Sequence, residues 1–381
     1  MTRPSINVGF IPLLDCASLV VAVEQGFAAA EGIDVALVRE SSWANIRDRL
    51  IVGHFDAAHL LGPMAVASTL GVGHLQVPMI APFALGLGGN AITVSMPLWQ
   101  QMQNEGATPG ASARMQGTAL ARVVTARANA GEAPLTLGMV YPFSCHNYEL
   151  RYWLAAVDID PDRDVRLVVI PPPFLADAMR AGQIDGFCVG EPWNSVAVQA
   201  GVGTIVLPTT AIWPFSPEKV LGCRASWAGE NRQRLDALIR ALHRASLWCE
   251  DPANHVDLAH MLGAARYVGA PAELLQAALA NRLPLAPGAK PSALADFFVT
   301  ARHAATFPWV SHALWFYTQM VRWKQIEPAE SHLTAVRGTY RPDIYRRALA
   351  RSGIDVPSAD TKVEHFFDET IFDPARVQTA P

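Results

Sequence analysis

The chain has 381 residues, 51% of them hydrophobic and 17% charged, with a formal net charge of −4. This length fits two domains, or two lobes around one ligand site. The acidic balance argues against direct nucleic-acid binding, which favours a basic excess, and no apolar run approaches the ~20 residues that cross a bilayer.

The first 94 residues alternate strand and helix signals, as doubly wound α/β domains do. Ser41 and Ser42 stand where capping residues would begin a helix at Trp43. Asp15 is predicted to cap a helix in the same way. The predicted elements are strand 6–10, helix 15–30, strand 33–38, helix 43–52, strand 56–61 and a helix that begins at Pro63.

The alternation resumes after a segment, 102–134, that is rich in Ala, Gly and Thr and is predicted to be a surface insertion with one helix at 118–128. Strand 91–95 is predicted before this segment. The elements predicted after it are strand 135–140, helix 146–157, strand 165–170, helix 174–181, strand 184–189, strand 204–207, strand 219–224 and helix 230–250. The last 130 residues are predicted to be mostly helical, with a final acidic segment on the surface.

Two α/β blocks, the second inserted into the first, predict two lobes with a cleft between them. We expect residues 1–94 to form the first part of lobe I, 95–192 lobe II, 193–260 the second part of lobe I, and 261–381 a helical extension that packs mainly on lobe I. The chain would cross between the lobes near Thr93 and near Glu191 and Pro192, which are therefore predicted hinge residues.

Several segments, in this order, resemble the nitrate- and bicarbonate-binding proteins of ABC importers, the NrtA/CmpA family. The segments are 8–15 (VGFIPLLD), 24–27 (EQGF), 41–50 (SSWANIRDRL), 56–59 (DAAH), 89–94 (GNAITV), His146 with 151–153 (RYW), 186–193 (GFCVGEPW) and 217–220 (PEKV). The resemblance covers roughly residues 5–260 and implies the two-lobed type II periplasmic-binding-protein fold, with a hinge and an inter-lobe ligand cleft.

The resemblance also implies four ligand-binding residues, each of which has a structural alternative. Trp43 brings an indole N–H to a helix N-terminus, or anchors that helix in the core. His146 would face the cleft from lobe II, or cap its own helix. Lys219 would neutralise the anion, or guard an edge strand. Asn90, where transport relatives carry Gln, would donate from its amide, or simply occupy a turn.

No metal or cofactor is expected. The five cysteines contain no C-x-x-C pair, and His54 and His59 are read as structural residues. Bicarbonate-binding relatives use calcium with acidic ligands, and the sequence shows no cluster of Asp and Glu at the matching positions. We therefore expect a pocket with one cation, several N–H donors and no carboxylate nearby.

Only five residues precede the strand at Ile6, which is too few for an export signal. We therefore expect a cytoplasmic protein that resembles the nitrate/nitrite sensors of the NasS type. That resemblance implies an RNA-binding antiterminator of the NasT type as partner, which is held inactive and released when the anion binds. The alternatives are the solute-binding component of an ABC importer, and an enzyme on the same fold that uses Cys145 and His146.

Overall fold

The structure, a computed structural model, describes residues 4–73, 75–350 and 352–377. Its strands are β1 (Ser5–Phe10), β2 (Asp34–Arg39), β3 (Ala57–Leu61), β4 (Met79–Ala84), β5 (Leu87–Gly88), β6 (Asn90–Ser95), β7 (Leu135–Met139), β8 (Val165–Val169), β9 (Gly186–Gly190), β10 (Gly203–Pro208), β11 (Lys219–Arg224), β12 (Arg282–Leu283), β13 (Ser292–Ala293), β14 (Phe298–Val299), β15 (Glu364–His365) and β16 (Ile371–Phe372).

The helices connect these strands and then make up most of the second half of the chain. They are α1 (Ala17–Glu24), α2 (Phe27–Ala30), α3 (Trp43–Ile51), α4 (Gly62–Leu70), α5 (Met96–Asn104), α6 (Ala113–Asn129), α7 (Cys145–Ala155), α8 (Leu175–Arg180), α9 (Trp193–Gln199), α10 (Ala225–Glu230), α11 (Arg232–Glu250), α12 (His255–Gly263), α13 (Ala272–Leu279), α14 (Val310–Arg322), α15 (Glu330–Thr339) and α16 (Pro342–Leu349).

Two five-stranded sheets form the two lobes. The sheet of lobe I has the order β2-β1-β3-β11-β4, and the sheet of lobe II has the order β10-β6-β9-β7-β8. In each sheet one strand runs antiparallel to the other four: β11 in lobe I and β6 in lobe II. These are the strands that the chain forms directly after crossing from the opposite lobe, so each begins at the edge where the other strands end.

The predicted lobe boundaries at residues 94 and 192 are wrong by one strand each. Strand β6 pairs with β9, and β10 pairs with β6, so both belong to lobe II, which spans residues 90–208. The chain crosses between the lobes at residues 85–89 and 209–218. Thr93, a predicted hinge residue, lies inside β6 and donates its hydroxyl to Asn194 Oδ1 at 2.8 Å, so it holds lobe II together.

The predicted surface insertion is also wrong, because α5 and α6 are packed helices of lobe II. The buried side of α6 faces α7, where Gly117 leaves space for Trp153 and Val157. The indole of Trp153 donates to Ala113 O at 2.8 Å. The predicted helix at 118–128 does lie within α6, but Ala, Gly and Thr on this helix permit close helix packing rather than mark a surface insertion.

The helical extension covers lobe I and also reaches lobe II. Helices α14 and α15 pack on α4, and α16 packs on β4 and on α11. The segment around Phe366 then crosses to α7 of lobe II, where Tyr152 donates to Asp368, with both carboxylate oxygens 3.0 Å away. Phe366 is buried against Tyr152, Trp213 and Trp315, so the acidic final segment is in part a core element. Within the described residues, no helix is both long and apolar enough to cross a membrane.

Candidate functional site

The site lies where the edges of the two sheets face each other. Lys219, the first residue of β11, pairs with Leu61 at the carboxyl end of β3. Asn90, the first residue of β6, pairs with Gly190 at the carboxyl end of β9. Ligands of α/β sheets bind at the carboxyl ends of parallel strands, so each antiparallel strand begins with a side chain at the binding edge.

Trp43 opens helix α3 at this edge. Ser42 caps the helix, and its Oγ accepts a hydrogen bond from Asn45 N at 3.4 Å, as the sequence predicted. The indole is buried, with its ring centroid 5.7 Å from Lys219 Nζ and 5.4 Å from the centroid of the His59 ring. Its Nε1–H has no hydrogen-bond partner among the described residues, so the helix is anchored by the ring and not by this donor.

Lys219 is the cation of the site and is 1% exposed. Its Nζ lies 2.8 Å from Asp15 Oδ2 and also bonds Glu218 Oε2. Burial alone would lower the pKa of Lys219, but the two carboxylates raise it above its ordinary value. For Asp15, burial opposes ionisation, while Lys219 and His59 together bring its pKa below the ordinary range. Lys219 and Asp15 are therefore a charged pair at neutral pH.

His59 positions Asp15 from inside the sheet of lobe I. Its Nδ1 accepts a hydrogen bond from Ile11 N at 3.4 Å, and its Nε2 lies 3.0 Å from Asp15 Oδ1. Burial lowers the pKa of His59; Asp15 opposes this shift and Lys219 adds to it, and the net direction is downward. A neutral ring with Nδ1 as acceptor carries its proton on Nε2, which then faces the carboxylate.

His146 reaches the site from lobe II at the first turn of α7, which Ser144 caps by accepting from Asn147 N at 3.1 Å. Its Nε2 is 3.5 Å from Glu218 Oε1, in contact but without a well-formed hydrogen bond. Burial, and then the charge of Lys219, lower the pKa of His146 well below its usual value, so the ring is neutral. Neither ring nitrogen is hydrogen-bonded within the described structure.

Asn90 completes the set from lobe II and is fully buried. Neither atom of its side-chain amide has a hydrogen-bond partner in residues 4–73, 75–350 and 352–377. The backbone of Gly190 lies beside it, since a Cβ at Gly190 would stand 3.2 Å from Asn90 Oδ1 and 3.8 Å from Asp15 Oδ2. The structure therefore brings together all four predicted ligand residues, two from each lobe.

The model of the NMT1-like family matches residues 2–263, about two thirds of the chain. The chain belongs to the NMT1-like family. It is 33% identical to the nitrate/nitrite binding protein NrtA of Synechococcus elongatus over 98% of this chain and 84% of that protein. It is 34% identical to the nitrate import ATP-binding protein NrtC of Synechocystis over 98% of this chain, which spans about half (54%) of that longer protein.

The crystal structure of the periplasmic nitrate-binding protein NrtA from Synechocystis PCC 6803 matches this NMT1-like chain with a TM-score of 0.89 at 28% identity. The match covers 98% of this chain and 96% of that chain. The predicted two-lobed periplasmic-binding-protein-like fold is therefore confirmed.

The prediction of a carboxylate-free pocket is wrong for this NMT1-like chain, because Asp15 and Glu218 both contact Lys219. The sequence predicted that Asp15 caps a helix, and this is wrong. Asp15 lies between β1 and α1, and its carboxylate contacts Lys219 and His59. Its position five residues after a buried strand, at a carboxyl edge, was the signal that could have identified it. His59 was read as structural, yet it contacts both Asp15 and Trp43.

Glu191 and Pro192 follow β9 and lie within lobe II. The backbone of this turn contacts lobe I, since Leu14 N donates to Glu191 O at 2.8 Å. The carboxyl group of Glu191 accepts from Ser195 N at 3.3 Å, and burial raises its pKa to about 7. Its Oε2 therefore has a backbone donor, whereas Oε1 has no hydrogen-bond partner among the described residues, and a hinge role for Glu191 stays a prediction.

The alternative of a catalytic Cys145 is not favoured by its surroundings. The thiol is buried and points to Glu218 O at 3.6 Å. Burial, followed by the charges of Glu218 and Glu149, raises the pKa of Cys145 well above its usual value, so no thiolate forms at neutral pH. In the described part of the NMT1-like fold, no group of three or more His, Cys, Asp or Glu side chains could hold a metal ion.

Proposed function

We propose that this chain binds a small planar monoanion, nitrate or nitrite, between its lobes. The observation that carries the proposal is a set of buried donors from both lobes that have no hydrogen-bond partner among the described residues. They are Trp43 Nε1, Asn90 Nδ2 and the ring of His146, and they surround the buried cation Lys219. A buried donor that stays unpaired costs about 1–3 kcal/mol, so several at one place favour a ligand that accepts hydrogen bonds.

The chemistry of nitrate and nitrite fits this donor set. Both anions accept hydrogen bonds and donate none, and both carry a single charge. The ammonium group of Lys219 has three donors, of which Asp15 and Glu218 take two, which leaves one for the anion. A dianion such as sulfate would bring one more uncompensated buried charge than nitrate does, which is strongly disfavoured.

Bicarbonate is the competing ligand, because it carries an O–H. A carboxylate on the wall of the site, such as Glu218 Oε1, is an acceptor that nitrate cannot satisfy and bicarbonate can. Relatives named for nitrate (NrtA and NrtC) and relatives named for bicarbonate (CmpA and CmpC) match the chain at similar identity, so the names alone do not choose between the anions. Titration of one sample with nitrate, nitrite and bicarbonate decides between the ligands.

Isothermal titration calorimetry tests the proposal directly, with sulfate as the dianion control. We expect heat and one site per chain for nitrate or nitrite, and none for sulfate. Folded protein that binds none of the three monoanions would refute the proposal. A response to bicarbonate alone would instead assign the site to that anion.

We further propose that binding at this site is a signal, read by an antiterminator of the NasT type in the cytoplasm. Its support is the resemblance of the sequence to the sensors, together with a site built from both lobes. Because Lys219 and Trp43 belong to lobe I and Asn90 and His146 to lobe II, the anion changes the free energy of lobe closure, which a partner bound across the lobes senses.

The solute-binding component of an importer is the competing role for the same anion-dependent closure. Affinity purification from cell extract, with and without nitrate, separates the two. We expect an RNA-binding partner that is retained without nitrate and released with it. Capture of a membrane permease in the presence of nitrate would assign the chain to import.

A further inference from the structure

Two buried carboxyl groups share one lysine in the site. Lys219 Nζ contacts Asp15 Oδ2 at 2.8 Å and bonds Glu218 Oε2, and each of these three residues is at most 5% exposed. His59 and His146 are neutral. With both carboxyl groups ionised, the cluster carries a net charge of −1 before any anion arrives.

A monoanion bound against Lys219 would make this charge −2 in a site without solvent exposure. Burying an uncompensated charge costs several kcal/mol, so the site gains a proton rather than tolerate a second negative charge. Nitrate brings no proton of its own. The proton must therefore come from solvent and reside on a group of the protein.

We propose that the anion enters this site together with one proton, which is held by Glu218 and His146 at their inter-lobe contact. The inference rests on the proposed binding of a monoanion here. The two groups are 3.5 Å apart, close enough for one proton to serve either of them, and each would present a donor to the anion when protonated.

The groups that face Glu218 come from every neighbouring element. They are Lys219 and Asp15 from lobe I, His146, Glu149 and Cys145 from α7, Asn90 from β6, Cys188 from β9, and Tyr340 from the helical extension. Lys219 alone is a cation among them, and Asp15 already takes one of its donors. The charge of Glu218 is thus the least compensated of the carboxylates that contact the lysine.

The remaining carboxyl groups are poorer places for this proton. Burial raises the pKa of Glu218 to about 7, with Asp15 adding to the rise and Lys219 opposing it. Asp15 stays ionised, since Lys219 and His59 hold its pKa below the ordinary range. Burial, and then Glu218, raise the pKa of Glu149 to about 8, so that Glu149 carries a proton at neutral pH before the anion binds.

The pKa of Glu218 in the free protein determines how many protons are taken up when nitrate binds at a given pH. With a pKa of about 7 for Glu218 in the free protein, nitrate binding takes up about 0.9 proton at pH 8 and about 0.1 proton at pH 6. The affinity for nitrate then falls about fivefold from pH 7 to pH 8 and about tenfold for each further pH unit.

Calorimetry of the wild-type chain at pH 8, in buffers with different ionisation enthalpies, measures this proton directly. The slope of the binding enthalpy against the ionisation enthalpy gives the number of protons taken up, and we expect about one. In Glu218→Gln the amide donates permanently, so we expect an uptake near zero and an affinity that is flat from pH 7 to pH 8.5.

Glu149→Gln is the matched control, because it neutralises the neighbouring buried carboxyl group that does not contact Lys219. It should keep the proton uptake of the wild type at pH 7, where Glu149 is already protonated. Normal nitrate binding at pH 8 without proton uptake would overturn the inference and leave the proposed function standing. Absence of nitrate binding at any pH from 6 to 8 would instead refute the proposed function.

Discussion

His146 Nε2 of lobe II lies 3.5 Å from Oε1 of Glu218, the last residue of the chain's second crossing, which leads into lobe I. His146 follows β7 at the start of α7, and Glu218 immediately precedes β11. Lys219 is the next residue after Glu218, so a movement of α7 relative to β11 changes the donors around the cation and the surroundings of the carboxyl group together. The residues that would bind the anion are therefore the same residues that make, or directly adjoin, the contact between the lobes.

Trp43→Phe removes the free indole N–H and keeps the ring. We expect nitrate affinity to fall about tenfold or more, as the loss of one hydrogen bond to a charged group implies, with little change in stability. Trp153→Phe is the matched control, since the Trp153 indole donates to Ala113 O at 2.8 Å within lobe II. It should lose stability and keep affinity. Calorimetry measures the nitrate affinity of each variant, and urea unfolding measures its stability. Equal nitrate affinities in the two variants would show that the Trp43 indole does not bind the anion.

Lys219→Met leaves two buried carboxyl groups without their cation. We expect nitrate binding to fall more than about 100-fold and the free energy of unfolding to drop by about 3–5 kcal/mol. The exposed Lys290→Met loses the same charge on the surface and should change neither quantity. Nitrate binding by folded Lys219→Met at wild-type strength would contradict the assignment of the cation.

Gly190→Ala places a methyl group about 3.2 Å from Asn90 Oδ1, which is tighter than ordinary contact. We expect Asn90 to shift, and the nitrate affinity to fall several-fold, in a protein that still folds. Gly229→Ala meets no atom within 4 Å and serves as the control. A Gly190→Ala variant with unchanged affinity would show that the Asn90 amide does not contact the anion.

The buried glutamates predict a fall of stability with pH in the absence of nitrate. The pKa of Glu149 is raised to about 8 and those of Glu191 and Glu218 to about 7, so the folded state binds more protons than the unfolded state between pH 4.5 and pH 8. The buried histidines, whose pKa values are lowered, oppose this only up to about pH 6.5.

We therefore expect the free energy of unfolding to fall from pH 6.5 to pH 8, by up to about 1.4 kcal/mol per pH unit for each group. Glu149→Gln should reduce the slope. Urea unfolding at four pH values measures it. Identical slopes for wild type and variant would mean that Glu149 does not hold a proton in the folded state.

Phe366→Ala tests the contact of the helical extension with lobe II. The ring is 7% exposed, with centroid distances of 4.8 Å to Tyr152, 5.0 Å to Trp213 and 5.6 Å to Trp315. We expect a loss of about 3 kcal/mol in the free energy of unfolding. Phe174→Ala, at a ring that is 53% exposed, should cost less than about 0.5 kcal/mol. Equal losses would show that the contact does not stabilise the fold.

Local sequence patterns correctly predicted those features that depend only on residues adjacent in the chain. Ser42 and Ser144 cap the helices that carry Trp43 and His146, and strand β11 has the predicted bounds. The sequence missed β4, because Pro82 interrupts its pattern. The structure tolerates Pro82 because β4 is an edge strand, with an irregular register opposite residues 221–223.

The two carboxylates of the site, Asp15 and Glu218, could not be predicted from local patterns, because they come together only in the tertiary structure. Asp15 and Glu218 are more than 200 residues apart, and each alone fits an ordinary role at a helix or strand end. The lobe boundaries failed for a related reason. Each crossing strand pairs with partners of the lobe it enters, and the chain gives no local sign of which lobe that is.

The position of β11 between β3 and β4 bears on the order of folding during synthesis. The strands of lobe II lie in one continuous stretch, 90–208, whereas the neighbour of β4 in the sheet of lobe I is β11, whose last residue is 224. On the ribosome, the sheet of lobe II can form completely before β11 has been synthesised, so that β4, although it is made earlier, is still unpaired. The lobe that starts the chain is thus the one that finishes last, and Lys219 reaches the cleft in that final step.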